Sequence, residues 1–288
     1  MKKLLTLLAL TVSFSMNAKV STNSTSPTGI YASAMGNGTT ASGNESTAMG
    51  YDTTASGEAS TAMGYSTTAS TQASTAMGKL TTASGLNSTA MGYSSTASGS
   101  RSTAMGQSTT ASATFSTAMG LGTTASDYSS TVIGQYNSSG SSATSANSFS
   151  TSAPAFVIGN GTASNAKSDA FKVMFNGDAT VSNDLTVSGD VNITSDARLK
   201  SNIVSLGSTL PKLLQIDGKS YEMKGKQKIG VLAQEIKEVF PELVSEDDNE
   251  MLAVNYQGLV PVLINALKEQ DEKINRLEKL VEKLIDNQ

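Results

Sequence analysis

One five-residue segment returns along this chain at a fixed interval of fourteen residues. The segment STAMG ends at Gly50, Gly64, Gly78, Gly106 and Gly120, and close variants end at Gly36, Gly92 and Gly134. Fourteen residues are too few for a helical hairpin or a propeller blade, but they accommodate two strands of about five residues and two tight turns. The interval therefore predicts a parallel β-solenoid over residues 30–133, with one coil per repeat.

The residue before each repeated glycine should fall in a single column of the solenoid. These residues are Met35, Met49, Met63, Met77, Met91, Met105 and Met119, with Ile133 in the eighth place. Stacked strands would space them about 4.7 Å apart. The glycine that follows is expected where the chain turns with positive φ or lies close to another backbone.

The predicted core is thin, since alanine and one Met or Ile per coil bury little apolar surface. We therefore expect several chains to associate and supply the missing burial. Composition alone also supports a different interpretation, a disordered linker rich in Ser, Thr and Gly. The regular apolar position favours the solenoid.

The composition excludes several classes of chemistry. The chain has 288 residues and no Cys, His or Trp. It therefore cannot form a Ser-His-Asp triad, a cysteine nucleophile, a His or Cys metal site or a disulfide. The net charge of −4 offers no basic patch for phosphates, so nucleic acid is not an expected partner. We predict no cofactor.

Residues 1–18 have the pattern of a secretory signal peptide. Lys2 and Lys3 precede an apolar run over residues 4–12, and small residues follow up to Ala18. The run is shorter than the roughly 20 residues of a membrane span, and no cysteine follows it for a lipid anchor. We expect an exported protein, secreted or at the cell surface, with neither a membrane nor a barrel anchor.

The composition changes at Ser195, where charged residues become frequent. We predict repeats over 19–135, a linker and β neck over 136–194, and a separate domain over 195–288. Four short apolar patterns predict strands in the neck. They are FKVMF (171–175), ATV (179–181), LTV (185–187) and VNI (191–193).

Ser195 and Lys200 are the one plausible catalytic pair. A neutral lysine can replace histidine as the base that activates a serine, provided that burial or a nearby positive charge favours the neutral form. Residues five apart point to different sides of a helix and to opposite faces of a strand. A working pair therefore needs a turn between the two residues, or a lysine from a neighbouring chain. On spacing alone, a solvated pair without a catalytic role is favoured.

Apolar residues take heptad positions near the C-terminus, which predicts a coiled coil. Positions a are Val260, Leu267, Ile274 and Val281, and positions d are Leu263, Gln270, Leu277 and Leu284, of which only Gln270 is polar. Glu269 and Lys273 have the spacing of a helix-supporting ion pair. The alternative is a surface helix that packs on its own domain.

The repeats STAMG and TTASG resemble the SVAIG-type head repeats of trimeric autotransporter adhesins of the YadA type, with Met in place of Ile. The resemblance covers about residues 30–158. It implies a left-handed parallel β-roll in which three chains form one head.

The last third of the chain, from about Thr194 to Gln288, resembles another family. SDARLKSNI (195–203), IGVLAQEI (229–236), FPELV (240–244) and LAVNYQGLVPVLINALKE (252–269) are closely similar to the peptidase S74 domain, an intramolecular chaperone at the C-terminus of phage tailspikes. The resemblance implies a small α+β domain that forms a trimer, assists assembly and then cuts its own chain.

The same resemblance implies roles for individual residues. Ser195 would be the nucleophile, Lys200 the general base and Thr194–Ser195 the bond that is cut, with no substrate in trans. The serine hydroxyl could attack this bond itself or position a water molecule there. Asp196 and Arg198 also match the motif SDxRxK. For them, capping a turn and forming a salt bridge is an alternative to direct participation.

Three hypotheses for function follow. The first is a secreted, homotrimeric, fibre-like adhesin whose chaperone domain cleaves itself off. The second is a phage or prophage tail fibre with the same domain, which would have no use for a signal peptide. The third is an uncleaved structural adhesin. Tyr51, Tyr65 and Tyr93 follow turn glycines as possible contacts for an unknown host-surface or matrix ligand, although turn residues need no partner.

Overall fold

The computed structural model describes residues 22–247 and 250–286, in two compact units. The units are Met1–Asp190 and Val191–Gln288. The predicted signal peptide, residues 1–18, lies outside the described residues.

The first unit is mainly a parallel β-solenoid, as the fourteen-residue interval predicts. Each coil contributes one long and one short strand. The long strands are Ser33–Asn37, Thr47–Tyr51, Thr61–Tyr65, Thr75–Lys79, Thr89–Tyr93, Thr103–Gln107, Thr117–Leu121 and Thr131–Gln135. The short strands are Ser26–Pro27, Thr40–Ala41, Thr54–Ala55, Thr68–Ala69, Thr82–Ala83, Thr96–Ala97, Thr110–Ala111 and Thr124–Ala125. The long strands, preceded by Thr22–Asn23, stack into one parallel sheet and the short strands into another.

The interior of the solenoid consists of small side chains. One alanine column lies in each sheet, and its members are fully buried from Ala41 to Ala125, with Val132 and Val157 closing the cluster. Columns of buried Thr and Ser, such as Thr53 and Ser60, flank them. Each alanine buries one methyl group, worth about 0.8 kcal/mol. The core is therefore thin, as expected.

The methionine column is confirmed, but its assignment to the core is wrong. Met49 pairs with Met63 and Met63 with Met77, in strict register. Successive side chains of a strand point to opposite faces, and alanine occupies the inner face. The methionines therefore form an outward stripe, and Met49 and Met105 are 36% and 37% exposed. We call Met35, Met49, Met63, Met77, Met91, Met105 and Met119 the methionine stripe.

The repeated glycines have a positive φ and also lie close to another backbone, so both expectations are confirmed. In all eight coils the glycine after the methionine or isoleucine has φ between 92° and 133°. A Cβ atom built on these glycines would lie only 1.9–2.3 Å from the carbonyl oxygen of the next glycine in the stack. A side chain is excluded by backbone conformation and by contact with the neighbouring coil.

A looser segment after the last repeat closes the solenoid. The amide of Asn137 binds both backbone groups of Thr124, since Nδ2 donates to its carbonyl and Oδ1 accepts from its N–H, each at 2.8 Å. The buried carboxylate of Asp127 accepts from the N–H groups of Thr144 and Ser145. This segment therefore covers the edge of the last short strand, in the place where a ninth coil would lie.

The predicted neck strands are present in part. Pro154–Asn160 continues the long-strand sheet, and Asp169–Met174 and Ala179–Val181 follow as antiparallel strands. LTV and VNI are not strands, because no described segment pairs with them. Their apolar side chains are exposed, Leu185 to 71%.

The second unit is a small α+β domain. Two hairpins pair Lys219–Met223 with Lys226–Gly230 and Val244–Glu246 with Leu252–Val254. The helices are α1 (Leu210–Leu213), α2 (Ala233–Val239) and α3 (Leu259–Asp286), and 3₁₀ turns occupy Ala197–Leu199, Pro241–Leu243 and Tyr256–Gly258. The core is centred on Ile236, Phe240 and Val262.

Helix α3 presents two different faces. Val262 and Ala266 are buried against the rest of the unit. The predicted heptad positions lie on another face, where Leu267, Leu277 and Leu284 are each more than 60% exposed. Only the first turns of helix α3 therefore pack on the rest of the unit. The alternative prediction, a surface helix packed on its own domain, is correct for these turns alone. None of the described helices is both long and apolar enough to span a membrane.

Replacing Gly64 by Ala should destabilise the solenoid by at least about 1–3 kcal/mol, the usual cost of a disfavoured backbone conformation. Its φ is +127° and the added methyl would lie 1.9 Å from the carbonyl oxygen of Gly78. Denaturant unfolding followed by circular dichroism measures the loss. Gly189→Ala is the control, because nothing lies within 4 Å of the Cβ position there. Equal denaturant midpoints for both variants would show that the close contact between neighbouring coils does not limit the residue at Gly64.

Candidate functional site

The structure brings the two predicted site residues into contact. Nζ of Lys200 donates a hydrogen bond to Oγ of Ser195 at 2.7 Å. The 3₁₀ turn Ala197–Leu199 lies between them, and the N–H of Lys200 donates to the carbonyl of Ala197 at 3.1 Å. This is the turn that the five-residue spacing requires.

Asp196 and Arg198 form the other half of this segment. Oδ1 of Asp196 accepts from the N–H of Arg198 at 2.9 Å, which caps the turn. The guanidinium also binds the carboxylate, with Nη2 donating to Oδ2 at 2.7 Å and Nε donating to Oδ1 at 3.1 Å. The hydrogen bonds from Arg198 lower the pKa of Asp196 below its ordinary value, and the same contact raises the pKa of Arg198.

The whole segment is exposed in a single chain. Every residue from Ser195 to Lys200 is exposed, and the turn contains no buried residue. A lysine acts as a base only when neutral, a form that burial favours. One chain therefore supplies the contact between the nucleophile and the amine, but it does not exclude water from them.

Glu269 connects the segment after the turn to helix α3. Its carboxylate accepts hydrogen bonds from Oγ of Ser208 at 2.7 Å and from the N–H groups of Thr209 and Leu210. These hydrogen bonds lower the pKa of Glu269 below its ordinary value of 4.5, and the bond from Ser208 has the largest effect. The carboxylate caps the start of helix α1 instead of pairing with Lys273. Sequence reasoning missed this contact, because the partners lie about sixty residues apart.

The aromatic residues that follow the turn glycines form a stack along the solenoid. The rings of Tyr51 and Tyr65 lie 5.0 Å apart and are nearly parallel. Nζ of Lys79 lies 5.4 Å from the ring centre of Tyr65 and 5.7 Å from that of Tyr93. The three tyrosines are exposed, as expected, and each ring also contacts a neighbouring tyrosine or Lys79. The sequence pattern did not indicate the contacts with Lys79. Among the described residues no group of acidic side chains could hold a metal ion.

Comparison with known families finds one match in each of the two units of the chain. The family described as YadA head domain repeat (2 copies) matches residues 28–53, 55–81, 83–109 and 111–137. The Peptidase_S74 family, described as chaperone of endosialidase, matches residues 195–245. The chain combines YadA head repeats with an S74 chaperone domain. The S74 match begins at Ser195, the first residue of the pair, while the head repeats cover the solenoid. A comparison with curated proteins finds no match.

The stability of the second unit should fall as the pH is lowered. Because the folded-state pKa of Glu269 is below 4.5, its contribution is complete above that ordinary value and is lost as the pH falls through the folded-state pKa. Glu269→Gln should remove this part of the pH dependence. The denaturant midpoint of the domain, measured from pH 7 downward, tests it.

The matched control is Glu272→Gln, an exposed position on the same helix. It should keep the pH dependence of the unchanged protein. If Glu269→Gln and Glu272→Gln show the same pH dependence, the Glu269 cap does not contribute to stability.

Proposed function

We propose that this protein is an exported, homotrimeric, adhesin-like surface protein whose S74 domain assists assembly and then cuts the chain between Thr194 and Ser195. The observation that carries the proposal is the 2.7 Å contact between Nζ of Lys200 and Oγ of Ser195. It lies at the start of the segment that matches Peptidase_S74.

The cut would proceed by intramolecular nucleophilic attack. Neutral Lys200 takes the proton of the Ser195 hydroxyl, and Oγ attacks the carbonyl carbon of Thr194. The bond from that carbon to the nitrogen of Ser195 breaks as the nitrogen gains the proton from Lys200. Water then hydrolyses the resulting ester, leaving a carboxylate on Thr194 and a free amino group on Ser195.

The proximity of the reacting groups replaces much of the apparatus of an ordinary protease. A serine hydroxyl lies beside its own preceding carbonyl, and an intramolecular reaction of this kind has a high effective concentration. Each site acts once, so a slow rate is sufficient. Peptides that carry the same sequence but are added in excess should not be cut.

Two apolar surfaces, one partly exposed and one exposed, support a trimer. The methionine stripe runs along the solenoid, and the heptad positions of helix α3 form a second surface on the S74 domain. Contiguous exposed apolar surfaces mark interaction sites in many proteins, and three chains agree with both family resemblances.

Assembly would also complete the peptidase site. In one chain Ser195 and Lys200 are open to water, and neighbouring copies would cover them and favour the neutral amine. Cutting would then follow assembly, which separates the chaperone from a fibre that has already formed.

Ser195→Ala should abolish cutting and leave the trimer intact, because it removes the nucleophile from an exposed position. Lys200→Ala should slow cutting at least about 100-fold, the usual contribution of a general base. Lys200→Arg should not restore the rate, since arginine stays protonated.

Intact mass and N-terminal sequencing of the exported protein measure the cut. The expected products are a mature chain that starts after Ala18 and a fragment of about 10 kDa that starts at Ser195, in proportion to 29.6 kDa for 288 residues. Recovery of uncut chain alone from assembled trimer would show that the domain is retained, as in an uncleaved structural adhesin.

Replacing Leu277 and Leu284 by Asp should convert the trimer to monomer, because the change would place charges in the apolar seam of helix α3. Analytical ultracentrifugation measures the oligomeric state. The control protein carries Asp at Lys268 and Lys279, which are exposed outside the heptad seam, and it should remain trimeric. A monomeric unchanged protein would contradict the assembly proposal.

A further inference from the structure

The turn between Ser195 and Lys200 has little to stabilise it apart from one carboxylate. It is three residues long, and none of its residues is buried. Short 3₁₀ segments are not stable by themselves, because the conformational entropy lost in fixing the first turn outweighs the free energy gained from its hydrogen bonds. Apolar packing within one chain cannot supply the difference, because the turn has no buried residue.

Asp196 makes the contacts that fix this turn. Its Oδ1 accepts from the backbone N–H of Arg198, an N–H at the start of the turn. Both carboxylate oxygens also accept hydrogen bonds from the guanidinium of Arg198, a charge-assisted arrangement that is stronger than a neutral hydrogen bond. The end of the turn is Lys200, whose N–H donates to the carbonyl of Ala197.

We propose that Asp196 is a positioning residue for self-cleavage: its carboxylate holds the turn that brings Nζ of Lys200 to Oγ of Ser195. The inference rests on the proposed function and adds a role within it. Asp196 contacts neither Ser195 nor Lys200 through its carboxylate among the hydrogen bonds of this segment, so it acts through the backbone.

The two contacts of Asp196 can be separated by substitution. Asp196→Asn keeps an oxygen that can cap the turn, since Asn is a good capping residue, but it removes the ion pair. Arg198→Ala also removes the ion pair and leaves the backbone N–H that Asp196 caps. Asp196→Ala removes both contacts.

The rate of self-cleavage should depend on the hydrogen bond from Asp196 that caps the turn, and much less on the ion pair with Arg198. Asp196→Ala should cut about 100-fold more slowly, the loss expected when a reacting group is displaced by about 1 Å. Asp196→Asn and Arg198→Ala should lose less than about 10-fold. Sedimentation should show trimers for all three.

A pH profile separates positioning from electrostatic tuning. If Asp196 only positions Lys200, Asp196→Ala lowers the maximum rate and leaves the midpoint of the profile unchanged. A shifted midpoint with an unchanged maximum would overturn the proposal, because Asp196 would then alter the ionisation of the base. Equal losses in Asp196→Asn and Asp196→Ala would overturn it as well.

A second measurement does not depend on cutting. In full-length protein that carries Ser195→Ala and cannot cut itself, hydrogen exchange of the peptide over residues 196–200 should be faster with Asp196→Ala and unchanged with Asp196→Asn. Unchanged exchange with Asp196→Ala would overturn the proposal. If the unchanged protein is never cut, the proposed function fails, and the exchange comparison alone decides whether Asp196 holds the turn.

Discussion

Main-chain hydrogen bonding between residues about one coil apart is the interaction on which the solenoid depends. The N–H of Thr47 donates to Ser60 and that of Thr54 to Thr67, at 2.9 and 2.8 Å, and equivalent bonds recur in each coil. The interior adds mainly the methyl groups of Ala and Thr, with Val132 and Val157 at one end. A ladder of this kind needs coils of equal length, and this requirement accounts for the strict period of the sequence.

The same ladder determines which side chains stay outside. A long strand has room for one buried residue, alanine, so the larger methionine lies on the opposite face. The second unit has a comparable division, since helix α3 buries Val262 and Ala266 while its heptad residues are exposed. Each unit therefore leaves much of its apolar surface uncovered in a single chain, which suits a protein that completes its packing with other copies.

Sequence patterns predicted the features that repeat or are local. The period predicted the solenoid and the methionine column, but a column has the same period on either face of a sheet, so the pattern could not show that methionine points outward. LTV and VNI alternate like strands, yet a strand also needs a partner, and the pattern carries no information about partners.

The candidate site was predictable to a similar degree. Spacing gave the condition that Ser195 and Lys200 need a turn, and the family motif gave their proposed roles. The caps made by Glu269 and Asn137 could not be predicted. Carboxylates and amides are common on protein surfaces, and the backbone groups that they bind are identified only by the fold.

The covered end of the solenoid has a consequence for how such a protein can change its length. Because each coil contacts its neighbours through the same backbone positions, a whole coil can be gained or lost without altering the contacts of those that remain. The closing segment around Asn137 needs only one final coil to bind. The reach of the head is therefore a quantity that duplication or deletion of forty-two nucleotides can adjust, one coil at a time.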